Sequence, residues 1–220
     1  MAATLLEPSG SLRSLHAELS ALDWSTPAHA HAEAERLLHG LGEQPTQVVR
    51  EVEQWAAQLR LRALQCHETS SHLKWFVGAG ASAEFILWLH QYKPAAARRG
   101  RHAEIAHNHR YWFSSVLLSG GFTEREYQPV FEHGRLASLE LVGTARRQAG
   151  EAYTVPADKV HSLEAIDDGT LTLLVQGSVV TTFSRVYDLE RTEIQTFQDF
   201  EGHFPGLLAA ARALEDGPAT

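Results

Sequence analysis

The sequence predicts a mainly β protein: a closed or two-sheet barrel with a helical N-terminal flank and a short C-terminal helix. Three observations lead there. Apolar residues recur at helical spacing only in the first ~70 and last ~20 residues. Between them lie many short runs rich in β-branched and aromatic residues. Those runs are separated by glycines placed as hairpin turns would place them.

Taken in order, Leu12, Leu15, Leu19 and Leu22 mark a first helix after Pro8-Ser9-Gly10. A second opens at Thr26-Pro27 and runs through Ala34, Leu37 and Leu38 to Gly40 or Gly42. A third follows Pro45-Thr46, with Val48, Val49, Val52, Trp55 and Leu59 along it. Each has one apolar side and needs a surface to lie against. From Trp75 the character changes to strands: Phe85 to Leu89, Tyr111 to Leu118, Leu136 to Val142, Tyr153 to Val155, Leu171 to Val175 and Val179 to Tyr187. Gly120-Gly121, Gly134, Gly143, Gly150, Gly169 and Gly177 punctuate them. Leu207, Leu208, Ala211 and Leu214 return to helical spacing. Residues 1–72 are therefore expected as a flank packed on the barrel, 73–195 as the barrel and 196–220 as a helical tail.

A chain of 220 residues can bury a real core. With 27 acidic against 19 basic residues its net charge is −8, which argues against nucleic-acid and anionic-membrane partners. Cys66 is the lone cysteine, so no intrachain disulfide can form and a reducing cytoplasm is the expected setting. No window approaches the ~20 apolar residues of a spanning helix.

The chemistry concentrates in two segments. In the first, Gly100 precedes His107-Asn108-His109, followed by Ser114 and Gly121. In the second, Gly150 precedes Pro156, Asp158 and His161. Alternate residues of a strand face one side, so His107 and His109 would both point into the barrel, with His161 arriving from a facing strand. Three neutral imidazoles suit Fe, Zn, Cu or Ni and leave coordination positions open. The bland alternative is that these histidines are satisfied core residues. A second pair, His29-Ala30-His31, lies in predicted helix, where residues two apart face apart and make a poor ligand pair.

These two segments resemble the paired motifs of the cupin superfamily, which implies a double-stranded β-helix, or jelly roll. The first motif departs from the superfamily pattern by one extra residue before His107 and by Ser114 where an acid usually stands. The second has Asp158 in place of a glycine. A three-histidine site without an acid is similar to the cysteine dioxygenase (thiol dioxygenase) group of cupins. That resemblance implies a non-haem Fe(II) enzyme acting with dioxygen on a small thiol or amino-acid-like metabolite. It places Ser114 where some members carry a cross-linked cysteine, and Lys74 nearest to their substrate-carboxylate anchor. Tyr111 shares the inward parity of His109 and is a candidate catalytic hydroxyl; strand parity sets Ser114 outward unless a bulge intervenes. Trp88 and His90 are candidate substrate-pocket residues. Thr170 to Val175 lacks the histidine and tyrosine that the group typically has after its third ligand. The alternatives are a Zn(II) or other-metal cupin doing non-oxygenase chemistry, such as N–N bond formation or isomerisation, and a non-catalytic metabolite-binding cupin. Glu140 and Glu164 are candidate carboxylates for the metal or for a general base, with alternation setting Glu164 on the face away from His161. Arg110, Arg146 and Arg147 read as solvent-facing, with a substrate carboxylate as the alternative partner for one of them. Cupins often pair through barrel edges, so a homodimer is a further expectation.

Overall fold

A computed structural model describes residues 11–58, 66–98, 103–188 and 193–197. The tail expected to be helical, with Leu207 to Leu214, falls outside them. Three helices come first: α1 (Ser11–Ser20), α2 (Pro27–Gly42) and α3 (Pro45–Gln58). The strands are β1 (Cys66–Glu68), β2 (His72–Ala79), β3 (Phe85–Tyr92), β4 (Ala106–His107), β5 (Tyr111–Ser119) and β6 (Gly121–Glu132). They continue with β7 (Arg135–Gln148), β8 (Ala152–Val155), β9 (Val160–Glu164), β10 (Leu171–Val179), β11 (Ser184–Asp188) and β12 (Glu193–Phe197).

The strands form two antiparallel sheets, ordered β1-β2-β3-β10-β5-β8 and β12-β11-β4-β9-β6-β7. Their pairing has a simple logic. β6 pairs with β7, β5 with β8, β4 with β9 and β3 with β10. The chain from β3 to β10 is thus one long hairpin, folded at the His133-Gly134 turn. Both turn residues have positive φ, at 51° and 78°, as a two-residue hairpin loop of the I′ kind requires. Rolling this hairpin adds the pairs β10–β5 and β6–β9. Eight strands so arranged in two sheets are a jelly roll, the cupin fold.

The first sheet is buried on both faces, which explains the nearly unbroken apolar runs of β3, β5 and β10. Its outer face carries Phe85, Leu87, Leu89, Val116, Leu118, Leu173 and Val175, which pack on Leu12, Leu15, Leu19, Ala34, Leu38 and Val48 of the helices. Its inner face carries Ile86, Trp88, Phe113, Leu117, Leu174, Tyr153 and Val155, which meet Phe122 and Leu163 of the second sheet. The flank helices owe their one-sided apolar spacing to this contact.

The β6 strand was not evident from its sequence. Glu124, Arg125 and Glu126 form a charged run within it, Pro129 interrupts it, and register shifts at Glu126/Tyr127 and Val130/Phe131 mark bulges that bend such strands. Leu136, with partly buried Tyr127 and Leu139, packs over Ala106, Val160 and Tyr187 on the outer face of the second sheet. The apolar stretch expected as a single strand from Val179 to Tyr187 is instead the end of β10, a connection and β11.

Candidate metal centre

His107 and His161 face each other as register partners on β4 and β9. His109 lies just beyond β4, held by its backbone N–H donating to the Ala157 carbonyl at 3.2 Å. The intervening Asn108 turns outward, and its Oδ1 accepts from the Arg185 N–H at 2.6 Å. Alternation thus brings His107 and His109 to one side, as the His-x-His spacing requires.

One ring nitrogen from each of the three histidines falls within 4.8 Å of the others. His107 and His161 are buried, while His109 is partly exposed, so the cluster is reached from the His109 side. The His109 and His161 Nε2 atoms are 2.9 Å apart. That is about the separation of two adjacent ligands around one ion at metal–nitrogen distances of ~2.1 Å. The His107 Nδ1 lies 2.8 Å from the Ile105 carbonyl, which can only accept, so this ring carries its proton there and keeps a lone pair on Nε2. The donor set and its spacing fit a divalent metal of the iron, zinc or nickel kind.

Behind His161 stands a group that the sequence reading missed. Glu124, on β6, is 2 % exposed, and its Oε1 lies 3.0 Å from His161 Nδ1. Burial opposes its ionisation, but the His161 hydrogen bond and the Lys159 ammonium at 3.0 Å outweigh it, holding the carboxyl well below the usual range. Arg147 donates to its other oxygen at 3.1 and 3.0 Å and covers the Tyr153 ring at 4.7 Å. Arg147 was expected in solvent; it is turned inward because this buried carboxylate needs a second cation. The available signal was alternation: Phe122 and Glu124 share a face, and Phe122 is fully buried.

The structure distributes the other candidates unequally. The Tyr111 ring is 5.8 Å from His109, and Phe113 lies closer at 4.8 Å. Trp88 lies on the inner face and donates from Nε1 to Gln176 Oε1 at 3.0 Å; Gln176 is in register with Phe113. Lys74 Nζ sits 4.5 Å over the Trp88 ring. His90 lies two residues beyond Trp88, stacked on His72 at 4.5 Å, and its Nε2 has no hydrogen-bond partner. Burial, then His72 and Lys74, push its pKa well down, so this imidazole is neutral.

Ser114 is not brought to the histidines. It occupies the opposite face of β5, fully buried against α2, with Oγ 2.9 Å from His31 Nδ1 and from Thr154 Oγ1. It also donates to the His31 carbonyl at 2.9 Å. No bulge falls between Phe113 and Ser115 in the pairing of β5 with β10, so alternation alone decides this. His29 and His31 face apart, one exposed and one buried. Glu164 meets Arg125 at 3.2 Å and Arg146 meets Asp167, both on the surface. Among the described residues, no helix is long and apolar enough to cross a membrane.

A scan against protein-family models finds no match, and no curated protein matches the chain by sequence. Among solved structures, the chain is similar over part of its length to cupin-fold proteins. Oxalate decarboxylase from Lactobacillus farciminis matches 52% of this chain and 31% of its own at 17% identity, with a TM-score of 0.37. The DMSP lyase DddQ from Ruegeria pomeroyi matches 55% and 59% at 14% identity, also with a TM-score of 0.37. KdgF from Halomonas sp. matches 52% and 87% at 13% identity, with a TM-score of 0.34. The chain thus spans less than two thirds of the first two. Its own strand order and side chains say more: this is a jelly-roll barrel of the cupin type, with three histidines gathered inside it.

Proposed function

We propose that the barrel holds Fe(II) on His107, His109 and His161 and acts as an oxygenase on a small thiol or amino-acid-like metabolite. The observation that carries this reading is the donor set: three imidazoles within 4.8 Å and no carboxylate among them. Neutral ligands leave the full charge of a divalent ion, and three protein ligands leave room for a chelating substrate and a second small molecule. When bound, Fe(II) would supply the oxidation of a coordinated substrate by dioxygen.

The protein's own groups would select that substrate. Lys74, held over Trp88, offers a fixed positive charge to a carboxylate. Gln176 and the unpartnered Nε2 of neutral His90 offer hydrogen bonds along the same inner wall. Phe113 gives the ligands an apolar neighbour that limits water, and Tyr111 brings a hydroxyl-bearing ring near His109.

The deciding experiment is anaerobic purification and metal analysis, then oxygen uptake with Fe(II)-loaded protein and a panel of small thiols and amino acids. Substrate-dependent uptake supports the oxygenase. Stoichiometric zinc with turnover but no oxygen uptake would turn the reading to a zinc cupin. Ligand binding with no turnover under any metal would turn it to a binding protein.

A further inference from the structure

We infer that Glu124 is the positioning residue of the metal centre: its carboxylate sets the tautomer and orientation of His161, and it thereby sets how tightly the three histidines hold a metal. The inference rests on the three-histidine reading and deepens it. The acid absent from position 114 is present in the barrel, placed behind a ligand rather than on the ion.

The geometry is directional. An ionised carboxylate accepts hydrogen bonds and cannot donate, so a 3.0 Å contact from Oε1 to His161 Nδ1 requires the proton on that nitrogen. The His161 Nε2 lone pair is then left for His109 Nε2, 2.9 Å away, or for an ion between the rings. A ring free to rotate or to exchange its proton would present the wrong nitrogen part of the time. The same contact makes the imidazole a better donor.

Glu124 is itself held from three directions. Lys159 Nζ reaches Oε1 at 3.0 Å from the turn before β9, Arg147 grips Oε2 from β7, and β6 supplies the backbone. Lys159 also meets Glu126 at 3.2 Å, and this outer carboxylate is 47% exposed. The cations are partly buried, at 15% and 24% exposed, so the pairing is short and little screened. Two cations offset the charge of Glu124, which therefore acts as an acceptor for the ring without carrying a net negative charge into the site. His107 has its own acceptor in the Ile105 carbonyl, so two of three ligands have a fixed tautomer.

The test uses full-length protein and zinc as the probe. In metal-free wild type, ¹⁵N-edited histidine spectra are expected to show His161 protonated on Nδ1. The Glu124→Gln protein, which keeps the shape but loses the charge, is expected to show mixed tautomers and a zinc Kd raised about 10- to 100-fold. Glu124→Asp is expected to recover part of that affinity. Circular dichroism and the metal-free unfolding midpoint establish that each variant is folded. A folded Glu124→Gln protein with unchanged zinc affinity overturns the inference, as does a metal-free wild type protonated on His161 Nε2. The second measurement stands even should no variant fold. Zinc retained by His161→Ala would overturn the three-histidine reading itself, a separate failure.

Discussion

His107 and His161 are register partners across β4 and β9, so the rolled hairpin brings the two sequence segments together at their histidines. A slip of one residue in that pairing would turn one ring out of the barrel. Metal affinity therefore reports on the barrel's register, and the barrel's stability should report on the metal. Zinc or iron at 100 times its Kd should stabilise the protein by about 2.7 kcal/mol, seen as a raised midpoint in chemical denaturation. His161→Ala and His107→Ala should abolish that increment. Each should also lower the metal-free midpoint, because His161 is the partner of the buried Glu124 carboxylate and His107 that of the Ile105 carbonyl. An equal metal-induced shift in either variant would count against the site.

Ser114 separates a structural from a catalytic role. Its hydroxyl joins α2 to the barrel through His31 and Thr154, on the face away from the histidines. Ser114→Ala should cost about 1–3 kcal/mol of stability, because buried polar groups of His31 lose their partner. Zinc affinity should stay within twofold. A large loss of affinity with intact stability would restore a place for Ser114 at the metal.

Gly177 is needed for the same latch. A Cβ there would lie 2.5 Å from His31 Nε2, on a ring pinned by Ser114 and unable to swing away. Gly177→Ala should destabilise the fold by about 1–3 kcal/mol through overpacking. An unfolding midpoint equal to wild type would show that α2 yields at no cost.

His31 also makes the latch sensitive to acid. Burial lowers its pKa to about 4, against 6.5 in the unfolded chain. The unfolded state then binds more protons between those values, so stability is full above pH 6.5 and falls as the pH drops towards 4. The total loss from this group is about 3 kcal/mol. His31→Asn should flatten the difference in that window; denaturation curves at pH 7, 5.5 and 4.5 for both proteins measure it. Parallel pH profiles would assign the acid sensitivity elsewhere.

Much of this molecule was legible in one dimension. The helices α1, α2 and α3 begin where Leu12, Thr26-Pro27 and Pro45-Thr46 place them, because each needs one apolar side and a start signal. Inner strands such as β3, β5 and β10 show as apolar runs because helices cover one face and the barrel core the other. The His-x-His spacing fixed the shared direction of two histidines through alternation alone. Strand β6 stayed hidden, since the charged run Glu124-Arg125-Glu126, Pro129 and two bulges break the alternating pattern. Glu124 and the inward turn of Arg147 stayed hidden with it. A carboxylate in a charged run is ordinarily a surface group, and only the pairing of β6 with β9 sets this one behind His161. The sequence by itself determined the helices, the apolar strands and the shared direction of His107 and His109, which depend on local periodicity. Which polar groups share a buried space depends on how the hairpin rolls, and that the tertiary structure decided.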